Sequence, residues 1–116
     1  MQEFETIIEE SVNKLPQEFK DILEAKQIGI IAREQPPQPI QEKFQGQTVF
    51  GVFIGVPYGR FSHVQLEPTR IELYKNSFEK TFSNIAEIKQ EIQRAVMHEI
   101  AHYFGFSESK IRSIGY

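Results

Sequence analysis

The sequence predicts an α+β fold, a single domain in which a small mixed β-sheet packs against one N-terminal and one C-terminal helix. Three observations carry that expectation. Apolar residues recur at helical spacing near both ends of the chain, from Phe4 to Leu15 and again from Ile85 to Val96. Between them lie short runs of β-branched and aromatic residues, which suit strands. The 116 residues, 40% of them hydrophobic, suffice for one core without crosslinks, so the domain is taken as residues 1–116.

Phe4, Ile7, Ile8, Val12 and Leu15 form the apolar stripe of a first helix. Pro16 then opens a short second helix carrying Phe19, Ile22 and Leu23. Ile28 to Ala32 reads as a short strand. Gln35 to Gln45 holds Pro36, Pro37 and Pro39 and is expected to be an extended surface loop. Thr48 to Val56, nearly continuous in apolar residues, is the strongest strand and should be covered on both faces. Tyr58 to Glu67 is a polar loop, and Arg70 to Tyr74 alternates as a third strand. Asn84 followed by Glu87 marks a helix N-terminus of the capping-box kind. Behind it Ile85, Ile88, Ile92, Ala95 and Val96 repeat on one face, with no Gly or Pro before Gly105, a residue suited to end the helix.

That last helix carries the most informative segment, His98-Glu99-Ile100-Ala101-His102. As H-E-x-x-H it sets two imidazoles one turn apart on one helix face, with a carboxylate beside the first. Random placement of 3 His and 15 Glu in this chain produces the pattern roughly once in a hundred sequences. Gly105 and an acid at 108 extend it and make chance a poor explanation. Two neutral imidazoles suit a zinc ion and leave Glu99 available for proton transfer. A catalytic zinc takes three protein ligands, and Glu108 is the only carboxylate after His102. Ser107 is a good N-cap for a short final helix, and a sharp bend at Gly105 would swing Glu108 back towards the metal. Glu108 is therefore the expected third ligand. His63, the one remaining His, is the reserve, and water the other alternative.

The chain resembles the minimal zincin-like metallopeptidase family of small bacterial proteins, long described as a domain of unknown function. The resemblance rests on Leu15-Pro16-Gln17-Glu18-Phe19, on Gly51-Val52-Phe53-Ile54-Gly55-Val56-Pro57 and on Pro68-Thr69-Arg70-Ile71-Glu72-Leu73-Tyr74. It is most specific at His98-Glu99-Ile100-Ala101-His102-Tyr103-Phe104-Gly105 and closes on Ile114-Gly115-Tyr116. It implies a zincin-like α+β domain, zinc on His98, His102 and the acid at 108, and Glu99 as general base. Where the family usually has Asp, this chain has the longer Glu108. Zincins commonly bind an extended peptide against an edge strand beside the metal, and both the 48–56 and the 70–74 strands qualify. Loop 58–63 offers groups to stabilise a developing oxyanion.

The expected activity is zinc-dependent hydrolysis of peptide bonds, with Glu99 taking a proton from the attacking water and handing it to the leaving amine. Outer support for the imidazoles is expected from backbone carbonyls, Glu91 or Arg94. Zero Cys excludes disulfides and thiolate zinc sites. Met1-Gln2-Glu3-Phe4-Glu5 is unlike a secretory signal and no apolar run has membrane-spanning length, so the expected setting is cytoplasmic, away from membranes. A net charge of −3 with scattered Lys and Arg argues against a nucleic-acid partner. The expected partner is a peptide or protein substrate. The alternative is a non-catalytic zinc-binding interaction module in which the same site is structural; a small metal-dependent nuclease ranks third.

Overall fold

The structure, a computed structural model of the chain, describes residues 1–55, 69–103, 109 and 113, with backbone only at 102 and 103. In chain order it contains α1 (Gln2–Asn13), α2 (Gln17–Ala25), β1 (Gly29–Arg33), α3 (Gln38–Lys43), β2 (Gly51–Ile54), β3 (Arg70–Tyr74), α4 (Lys75–Thr81) and α5 (Ile85–Tyr103). The sheet is mixed, as expected. Its order is β1-β3-β2, with β1 parallel and β2 antiparallel to the central β3. Helices against a small mixed sheet make the fold α+β.

The registers fix the faces. Ile71 pairs with Ile30 and Phe53, and Leu73 with Ala32 and Gly51, so these side chains share one face. Both α1 and α5 lie against the sheet and against each other. Phe4 and Ile8 of α1 join Ile92, Val96, Met97 and Ile100 of α5 over Ile71 and Leu73 in one core. That burial, at about 25 cal/mol per Å² of apolar surface, is the main force holding the layers together. Ser11 is fully buried and returns its hydroxyl to Ile7 O at 2.7 Å, and Gln93 Nε2 of α5 donates to Ser11 O at 3.1 Å. A small residue there lets the two helices approach.

α2 ends as its sequence does not announce. Ile28 N–H donates to Leu23 O at 2.9 Å and Gln27 N–H to Glu24 O at 3.1 Å, the two bonds of a Schellman cap. The left-handed position falls on Gln27, at φ 53°, with no glycine present. Buried Leu23 and Ile28 supply the apolar contact that accompanies this cap.

Several expectations need correction. The proline-rich segment is no extended loop: it contains α3, entered from Pro37, whose carbonyl accepts from Ile40 N–H at 2.9 Å and Gln41 N–H at 3.0 Å. Prolines there pre-set φ for a helix start. The 48–56 strand shrinks to Gly51–Ile54, and its residues are half-buried instead of covered on both faces. The reverse holds for β3, where Glu72 is 1% exposed and Tyr74 is fully buried. Glu72 is held there by charge. Arg33 Nε and Arg70 Nε each reach Glu72 Oε2 at 2.9 Å, and the Tyr74 hydroxyl donates to Oε1 at 3.3 Å. Ile85, expected on the buried stripe of α5, is 57% exposed; it is the first residue of the helix. α4, whose Phe78 ring packs at a tilt against those of Phe4 and Phe50, has no counterpart in the sequence reading.

Candidate metal centre

The start of α5 is fixed by its cap. Asn84 Oδ1 accepts from Glu87 N–H at 2.9 Å, and Asn84 Nδ2 donates to Glu87 Oε1 at 2.7 Å. From there Ile92, Val96, Met97 and Ile100 are driven into the core, which sets the rotation of the helix about its axis. The residues between these anchors must turn outward. His98 accordingly lies exposed and Glu99 half-buried, and both open onto one groove of about 600 Å³.

The groove has three sides. α5 supplies His98, Glu99 and Ala95, β2 supplies Gly51 to Ile54, and Ile40 of α3 lines it together with Phe44, the residue that caps α3. Because β3 is central, β2 is, among the described residues, the one of the two candidate strands that lies at an edge of the sheet. Tyr74 N–H donates to Phe50 O at 2.9 Å, so in the antiparallel alternation Phe50 and Val52 turn their peptide groups to β3 and Gly51 turns its own away. Gly51 is obligatory for another reason. A Cβ there would sit 2.7 Å from Glu72 O and 2.8 Å from a Leu73 methyl carbon, so any side chain would push β2 off the sheet.

Glu91 and Arg94 also line the groove, one to two turns before His98. The structure pairs them with each other, Arg94 Nη1 to Glu91 Oε1 at 2.9 Å, so the rim is close to neutral there. The helix backbone is continuous through Tyr103, which puts position 102 one turn beyond His98 on the same face. Glu108, the reserve His63, the bend residues Gly105 and Ser107, and loop 58–63 lie outside the described residues, as does the side chain of His102. Among the described residues no three His, Asp or Glu side chains form a metal-holding group, and His98 with Glu99 is the described portion of the motif. An outward imidazole with a carboxylate beside it, in a chain without thiols, fits a zinc ion by the chemistry of its donors.

An α+β domain whose H-E-x-x-H helix shares a groove with an edge strand has the architecture of a zincin-like protein. The chain belongs to the zincin-like metallopeptidase family, whose model matches residues 25–116. No curated protein matches it. No helix among the described residues is long and apolar enough to cross a membrane.

The sequence reading missed α3, which contributes Ile40 to the lining of the groove. α3 was hidden because three prolines in four residues suggest extended chain, and the signal that would have revealed it is the Ile40/Phe44 spacing of one turn.

Proposed function

We propose that this protein is a zinc-dependent peptidase in which His98, His102 and Glu108 hold the metal and Glu99 is the general base. The supporting observation is that His98 and Glu99 open onto the groove that runs along the edge strand β2. When bound, zinc supplies Lewis-acid polarisation of the scissile carbonyl and acidifies water. The remaining work belongs to side chains of this chain. Glu99, half-buried beside His98, would accept a proton from the attacking water and return it to the departing amine. An extended peptide would lie along β2 and exchange main-chain hydrogen bonds with it, starting at Gly51, which presents its peptide groups to that side. Proximity of the held peptide to Glu99 is what converts metal binding into catalysis.

Elemental mass spectrometry of untagged protein purified without chelator should find close to one zinc per chain. Glu99→Gln should keep that zinc and lose peptide hydrolysis by a factor of about a hundred or more, whereas His98→Ala should lose both. Hydrolysis by Glu99→Gln at the wild-type rate would remove Glu99 as base. Zinc without hydrolysis in wild-type protein would leave a structural zinc module.

A further inference from the structure

α3 is a short helix with no buried residue. Ile40 of α3 and Phe44, the C-cap residue that follows it, are half-buried, and among the described residues neither belongs to the core or to the side chains packed against it; Lys43 Nζ lies 5.5 Å from the Phe44 ring centroid. Ile40 and Phe44 both face the groove that holds His98 and Glu99. Their apolar surface thus contributes little to the core of the described residues, and it lines the same groove as the candidate base. The helix is also held in place locally. Pro37 fixes its entry, the Pro37 carbonyl accepts from two of its amides, and Gln41 Nε2 donates to Pro36 O at 2.6 Å. A wall set in advance loses little freedom when a ligand covers it.

We propose that α3 is the specificity wall of this site, with Ile40 and Phe44 forming a subsite for one large apolar side chain of an extended peptide lying along β2. Such pockets bind through apolar surface and orient through a few polar groups, here the β2 peptide groups and the Glu99 side of the groove. The inference rests on the peptide-binding part of the reading above but not on turnover. Glycine and other small side chains leave the Ile40–Phe44 surface wet, so they should bind more weakly. A large side chain buries it.

The test is equilibrium binding, by fluorescence anisotropy, of short labelled Gly/Ser peptides carrying one central Phe, Leu or Gly. The protein is zinc-loaded Glu99→Gln, chosen so that no peptide is consumed. The Phe and Leu peptides should bind about ten-fold or more tighter than the Gly peptide. Phe44→Ser and Ile40→Ser, made separately, should each erase most of that preference. Because α3 buries no residue in the core, both variants should keep the wild-type circular dichroism and melting temperature, and either one suffices. Equal binding of all three peptides, no binding of any, or a preference untouched in both folded variants overturns the proposal. Preferential binding with no hydrolysis by the wild-type protein would sink the peptidase reading and leave the subsite standing. Hydrolysis indifferent to the central side chain would do the opposite.

Discussion

Glu72 shows how a residue read as the polar side of a strand becomes part of the interior. Burial acts to raise its carboxyl pKa, but hydrogen bonds and charge from Arg70 and Arg33 outweigh it and hold the group below its ordinary value. The Tyr74 hydroxyl is pushed up by the same burial, and next by the Glu72 charge, so it stays a proton donor. A folded-state pKa below the unfolded one means that this network stabilises above the ordinary carboxylate range. The contribution is lost as pH falls through the lowered value. Wild-type stability, measured by urea unfolding, should therefore drop as pH falls below about 4.5. Glu72→Gln should cost about 2 kcal/mol at pH 7, because two guanidinium groups then face a neutral amide. It should also flatten part of the acid decline. An acid profile with wild-type slope in Glu72→Gln would assign that decline to other carboxylates. The sequence showed the alternation of Arg70, Glu72 and Tyr74, but not that Arg33, far away in the chain, would arrive to neutralise the middle residue.

Helices and strands were legible wherever period and punctuation agreed. α1 and α5 carry the expected stripes, Ile85 excepted, and the Asn84–Glu87 cap lies where the sequence put it. β3 has the bounds Arg70–Tyr74 that alternation suggested. Elements failed where punctuation misled: prolines masked α3, and α4 carries too few periodic apolar residues to stand out from a turn. The end of α2 was hidden for a related reason, since its left-handed residue is Gln27 and not a glycine. A non-glycine residue in that conformation costs about 1–2 kcal/mol. Gln27→Gly should therefore stabilise the protein, by up to about 1 kcal/mol once the greater freedom of the unfolded glycine is subtracted. Chemical denaturation at unchanged m-value is the measurement, and a destabilised Gln27→Gly would show that the Gln27 side chain contributes more than its backbone strain costs.

For the whole molecule, the consequential arrangement is the strand order. Among the described residues, placing β3 in the centre gives β2 an edge, and β2 lines one groove with His98, Glu99 and Ile40 of α3. Zinc bound there would be a ligand of the folded state and would raise its stability by mass action. At a free zinc concentration a hundred times Kd the gain is about 2.7 kcal/mol, or a rise in melting temperature of about 10 °C for a chain of this size. A chelator should reverse the shift, Glu99→Gln should preserve it, and His98→Ala should abolish most of it. A melting temperature indifferent to zinc in the wild-type protein would contradict the proposed centre.

The sequence by itself determined the fold class, the helix that carries the H-E-x-x-H motif and the outward position of His98, because these depend on local periodicity and on chemistry confined to a few adjacent residues. Tertiary structure decided which strand borders the groove, what else lines it beside α5, and how a carboxylate is tolerated inside the sheet. Those outcomes depend on pairing between distant segments, β1 with β3 and β3 with β2. Loop closure and the burial of a shared apolar face select that pairing, and neither leaves a period in the chain.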